Sequence, residues 1–174
     1  MVPEGRNSNR KVTVNLIVTA LVTEILHSIA TPAFALGGDY VPVFKDMKQI
    51  YQLGASLDNL EKKVSNPDSF EAALEGIRAF NRDKSFYPGY ARNFVGKTVK
   101  NNAEGDPKVG YVREATNVIS SLQELLEGRE GSTGAEASKE AVKRVKKAEQ
   151  LISRFLKESG VEDEKVAGYV KAHP

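Results

Sequence analysis

Apolar residues recur along most of the chain at intervals of three and four, the spacing that places them on one face of a helix. From Val43 to Val64 the row is Val43, Met47, Ile50, Gly54, Leu57, Leu60 and Val64. Asn66-Pro67-Asp68 then supplies a helix start: a capping side chain, a proline where no N–H is needed, and an early acid facing the helix dipole. Phe70, Ala73, Leu74, Ile77 and Phe80 continue the pattern, and Asn81 to Phe86 reads as a break. A shorter helical stretch follows from near Pro88, with Tyr87, Tyr90, Ala91, Phe94, Val95 and Thr98. After the polar loop 101–107 come Val109, Val112, Ala115, Thr116, Ile119, Leu122, Leu125 and Leu126, ending before Gly128. Residues 128–138, GREGSTGAEAS, read as a flexible connection. A long helix from about Ser138 to Lys157 is expected next, stopped by Ser159-Gly160, with a short terminal helix over Val161 to Tyr169. No window outside the first 35 residues alternates apolar and polar residues as a half-buried strand does. The expectation is an all-α domain over residues 36–174, most simply an up-down four-helix bundle with an extra short helix, the 87–100 piece crossing one end or extending the second helix.

The first 35 residues have a different organisation. Polar residues ending in Arg10-Lys11 precede a mostly apolar run, VTVNLIVTALVTEILHSIA, which closes in TPAFA. This is the order of an export signal, with the small residues Ala33 and Ala35 at a cleavage position after Ala35. A retained membrane span and a buried first helix are the alternatives. Glu24 within the run weighs against the span, since a carboxylate near mid-membrane costs about 2 kcal/mol or more.

Composition narrows the chemistry. Hydrophobic residues at 40% and charged residues at 28% describe a globular chain. A formal charge of only +2 does not favour a general nucleic-acid binder. The absence of cysteine excludes thiolate nucleophiles, cysteine-ligated zinc and iron–sulfur clusters. Of the two histidines, His27 lies in the export-like segment together with Glu24, leaving His173 alone in the remaining domain. The domain is accordingly expected to lack histidine catalysis, a metal site and a bound cofactor, and not to be an enzyme. Gly89 to Thr98, GYARNFVGKT, superficially resembles a phosphate-binding loop, but six residues rather than four separate its first glycine from Gly96-Lys97. Glu124, Glu127 and Glu130 follow surface periodicity and read as solvated carboxylates.

Two features could carry binding. On the last long helix Ala141, Val145, Ala148, Ile152 and Phe155 share one face, while Lys139, Lys143, Lys146, Arg154 and Lys157 share the opposite one, with Glu140, Glu149 and Glu158 on the flanks. This basic strip is either an ordinary solvated face or a docking surface for an acidic partner. The second is Phe86-Tyr87-Pro88-Gly89-Tyr90 with Arg92. Its aromatics and arginine, with Tyr87, Tyr90 and Arg92 foremost, have the composition of an interface hot spot around a Pro-Gly turn, or of core packing that locks the turn. A different class of function, a carrier for a small apolar ligand or lipid, is suggested by small residues in the apolar rows: Gly54, Ala73, Ala115, Ala141 and Ala148.

The run YVPVFKDMKQIYQLGASLDNLEKKVSNPDSFEAALEGIRAFNRDKSFYPGYARNFVGKTVKN, continued by GYVREATNVISSLQELLEG, resembles the diatom-type extrinsic protein of photosystem II, a four-helix-bundle family related in architecture to the PsbQ group. The likeness covers Tyr40 to Gly128 best. It implies a chloroplast thylakoid-lumen protein, monomeric when free and peripheral on the lumenal face of the membrane. Its partners would be intrinsic and extrinsic lumenal subunits of photosystem II, where it would stabilise the oxygen-evolving complex and help retain Ca²⁺ and Cl⁻ without ligating the manganese–calcium cluster. Arg10-Lys11 stands where related signals often carry twin arginines, and no lipid-anchoring cysteine is present.

Overall fold

The structure, a computed structural model, describes residues 40–99 and 102–174. The targeting segment, with its expected cleavage after Ala35 and the Glu24-x-x-His27 pair, lies outside them. The described residues are all-α: α1 (Phe44–Val64), α2 (Phe70–Asp83), α3 (Phe86–Thr98), α4 (Pro107–Leu126), α5 (Gly134–Glu158) and α6 (Glu164–Ala172). Short 3₁₀ turns at Pro67–Ser69 and Ala103–Gly105 precede α2 and α4. Among the described residues no helix is long and apolar enough to cross a membrane.

The helix starts follow from local chemistry. Asn66 accepts from the Asp68 N–H, Asp106 from Lys108 and Asp163 from Lys165, each satisfying a first-turn donor that has no intrahelical partner. At the end of α4, Gly128 adopts φ +74°, and two bonds close the helix: Gly128 N–H to Leu125 O at 3.1 Å and Arg129 N–H to Glu124 O at 3.0 Å. That pair of bonds is the Schellman closure, and it needs a residue tolerant of left-handed backbone.

The break expected over Asn81 to Phe86 is narrower than its composition suggests. Only Lys84 and Ser85 separate α2 from α3, and both keep right-handed helical dihedrals. Pro88 explains the interruption, because it has no N–H for the Lys84 carbonyl and its ring crowds that same group. The Tyr87 N–H reaches the Lys84 oxygen instead, at 3.4 Å. Thus α3 follows almost directly from α2, and Pro88-Gly89 is part of a helix rather than a turn. The GYARNFVGKT segment likewise lies inside α3, where its N–H groups run along the helix axis.

Helix α5 begins at Gly134, a turn earlier than expected, because Ala135, Glu136 and Ala137 favour helix and Glu136 meets the dipole. The connection before it is correspondingly short and is held in place. Arg144 grips Glu130 through two bonds, 2.9 Å and 2.6 Å, while also bonding Glu140, the Ser121 hydroxyl and the Ser121 carbonyl.

The core lies between α5 and its neighbours α4 and α1, with α2 and α3 against α4, α3 also against α1, and α6 against α5 and α1. Met47, Ile50, Leu57, Ile77, Phe94, Leu122, Ile152 and Phe155 are among its buried side chains. Phe94 meets Phe155 with ring centroids 5.6 Å apart. Two polar contacts join elements: the buried Ser138 donates to the Val64 carbonyl at the end of α1, 2.8 Å away, and the half-buried Asn81 donates to Gln123 across α2 and α4, also at 2.8 Å. Glu127, expected as a solvated carboxylate, instead accepts from Arg78 of α2 and from Gln123. Burial opposes ionisation only weakly there, and those two hydrogen bonds, Arg78 first, hold its pKa below the ordinary carboxylate range.

Candidate functional site

Three surface features collect the chemistry of this domain. The first is the outer face of α5, where Lys139, Lys143, Lys146, Arg154 and Lys157 are all exposed. Successive members are three, four or eight residues apart, so the helix carries them along one side. The face is less purely basic than its spacing alone suggests. Lys143 sits 3.7 Å from Glu140 and Lys146 3.5 Å from Glu61 of α1, although their side chains remain 80% and 61% exposed. Pairs this open are worth about 0–1 kcal/mol each and exchange readily for an external partner. Glu149 departs from the expected arrangement, because it is not on a solvated flank but buried, at 4% exposure.

The second feature is the start of α3. Tyr87 stacks on Phe80 of α2 with ring centroids 5.5 Å apart and meets Tyr90 edge-on at 6.2 Å. Both tyrosines are half-buried and packed on the core, whereas Phe86 is 55% exposed. Burial, then the neighbouring Tyr90 and Asp83, pushes the Tyr87 hydroxyl above the ordinary phenol range. Arg92 points elsewhere, lying 3.5 Å from Glu104 in the 3₁₀ turn before α4, a carboxylate it shares with Arg113. The aromatic residues therefore join α2 to α3, and the structure does not bring Arg92 onto them as a single patch.

The third feature was not apparent in the sequence. Gly54 of α1 is a notch: a Cβ there would fall 2.8 Å from Tyr169 Cζ and 2.9 Å from Ile152 Cγ2. Without that atom α6 packs close to α1, and Tyr169 stacks on His173 at 4.2 Å. The His173 Nδ1 lies 3.0 Å from the Tyr169 carbonyl and its Nε2 3.0 Å from Asp58 Oδ1 on α1. Glu149 of α5 completes the group, since one ligand atom from each of Asp58, Glu149 and His173 lies within 4.8 Å of the others. The Glu149 Oε1 and the Tyr169 hydroxyl are both buried without a hydrogen-bond partner. Burial, with Glu61 and Asp58 adding like charge, raises the Glu149 pKa, against the opposing pull of His173 and Lys146. Tyr169 is raised as well, by burial first and then by Glu149.

These three residues are 115 positions apart at the extremes and belong to separate helical patterns, so periodicity gave no reason to group them. The signal that could have found them was Glu149 itself. On α5 it directly follows the buried Ala148, adjoining the apolar face and not the basic one. No family model, curated protein or solved structure matches the chain.

Proposed function

We propose that this chain is a non-catalytic extrinsic subunit of photosystem II that docks electrostatically on its lumenal face. In this reading α1, the α2–α3 pair, α4 and α5 are the four members of a four-helix bundle, α6 is the additional helix, and residues 1–35 direct export to the thylakoid lumen. The subunit stabilises the oxygen-evolving complex and helps retain Ca²⁺ and Cl⁻ without donating a ligand to the manganese–calcium cluster. The observation that carries the docking is the exposed basic face of α5, Lys139, Lys143, Lys146, Arg154 and Lys157. Five cations along one side of a long helix present a field that an acidic surface can meet over several turns. The identity of the partner rests on the likeness of residues 40–128 to the diatom-type extrinsic protein.

The experiment is rebinding to oxygen-evolving membranes from which extrinsic subunits have been removed. The native chain should bind at low salt and leave in about 1 M salt, where screening acts over ~3 Å rather than ~8 Å. Reversing Lys143, Lys146 and Arg154 to glutamate together should weaken rebinding by about tenfold or more. Rebinding unchanged by those reversals would refute docking through α5. Failure of the native chain to associate with such membranes at any salt would refute the photosystem assignment.

A further inference from the structure

We propose that Asp58, Glu149 and the Nε2 nitrogen of His173 form a binding site for one divalent transition-metal ion of the zinc class. The site goes beyond the docking reading and does not depend on it. Its donor set, one imidazole and two carboxylates, suits zinc and its neighbours better than calcium or magnesium, which prefer oxygen alone.

The imidazole is oriented as a ligand requires. Its Nδ1 faces the Tyr169 carbonyl at 3.0 Å, and a carbonyl only accepts, so the proton on that side is Nδ1–H. Metal-bound histidines commonly donate their second ring nitrogen to a backbone carbonyl in this way. Nε2 is then left facing Asp58 Oδ1, which also only accepts. Without an ion the contact needs a second ring proton; a metal ion takes the place of that proton and joins the two groups.

Glu149 supplies the independent observation. It is 4% exposed, and its Oε1 is buried with no hydrogen-bond partner. The Oε1 of that carboxylate has given up water without gaining a hydrogen bond, a loss that a cation or proton joining it would relieve. Glu61 and Asp58 add like charge beside it, against the opposing pull of His173 and Lys146. A doubly charged ion between Glu149, Asp58 and His173 answers both deficits. Metal bonds of about 2.0–2.1 Å in tetrahedral geometry put ligand atoms roughly 3.3 Å apart. The present atoms lie within 4.8 Å of one another, so closure needs movement on the order of 1 Å. Three protein ligands leave one position for water, and Asp58, half-exposed, sits on the solvent side.

The test uses the full chain, stripped with chelator and titrated with zinc chloride by calorimetry, with cobalt as a spectroscopic substitute. Expected are one ion per chain, a dissociation constant in the micromolar range or tighter, a rise in thermal midpoint with zinc, and visible cobalt bands of a four-coordinate nitrogen–oxygen site. Millimolar magnesium or calcium should not displace the ion. Glu149→Gln and His173→Ala should each weaken binding by about tenfold or more. Glu149→Gln keeps the side chain's shape and removes a buried charge, so it tests the site even if His173→Ala perturbs α6. Zinc binding left unchanged by Glu149→Gln would overturn the proposal by showing an adventitious surface ion, as would a stoichiometry other than one or no binding at millimolar zinc. No membrane or partner enters the measurement, so its outcome is separate from that of the docking experiment.

Discussion

Two single residues set how closely elements approach. Gly54 leaves the space that Tyr169 and Ile152 occupy, so an added methyl group must displace an aromatic ring packed from α6. Overpacking of that kind costs about 1–3 kcal/mol. Gly54→Ala should therefore lower the urea midpoint, and a second change, Tyr169→Leu, should recover part of the loss by clearing the contact. Arg144 has the complementary role of tying neighbours together through its guanidinium. Its two bonds to Glu130, set against the smaller effect of burial, hold the Glu130 pKa below the ordinary range. A carboxylate held down in the folded state stabilises above its unfolded pKa and loses that contribution as pH falls through the folded one. Glu130→Gln should accordingly be less stable than the native chain at pH 7, by about 1 kcal/mol after allowing for solvent screening. The difference should close as pH drops below the ordinary carboxylate range, which denaturant unfolding at a series of pH values will measure.

At the scale of elements, two glycines of the α4 region make opposite predictions. Gly128 has φ +74° at the helix end, whereas Gly110 lies within α4 with no atom within 4 Å of an added Cβ. Gly128→Ala should cost about 1 kcal/mol through left-handed backbone, and Gly110→Ala should stabilise by roughly 0.5–1 kcal/mol through reduced chain entropy. Thermal unfolding of the two variants should move in opposite directions. The sequence made the helices legible because three- and four-residue spacing reports burial directly, and α1 and α4 fall within a residue or two of their expected limits. It drew the joint at Lys84-Ser85 too wide, as Asn81 to Phe86, because the polar residues there mark a break while the effect of Pro88 falls only on the carbonyl four residues upstream. It extended the loop before α5, because glycine and serine mark a connection without revealing that Arg144 fastens it. The basic face of α5 was legible for the same reason as the helices. The grouping of Asp58, Glu149 and His173 was not, since it depends on how α6 is laid against α1 and α5.

For the molecule as a whole, cohesion and the docking we propose rest on different forces. The interior is held by apolar packing among α1, α4 and α5, while most ion pairs lie at the surface and contribute little each. Salt at about 1 M should therefore shift the thermal midpoint by less than about 5 °C. The same salt should release the chain from an acidic partner. Parallel calorimetry and membrane-release measurements will separate the two, and a chain that unfolds over the range in which it is released would contradict this division.

The joint between α2 and α3 also has a consequence in time. Where the Lys84 carbonyl receives only the long bond from Tyr87, the backbone has less to lose by opening than in the turns on either side. Amide hydrogens at Ser85 to Tyr87 should exchange with solvent faster than those in the middle of α2 or α3. The Phe80–Tyr87 stack spans this joint, while the packing of α3 against α4 and α1 holds the helix in place whether or not the joint opens.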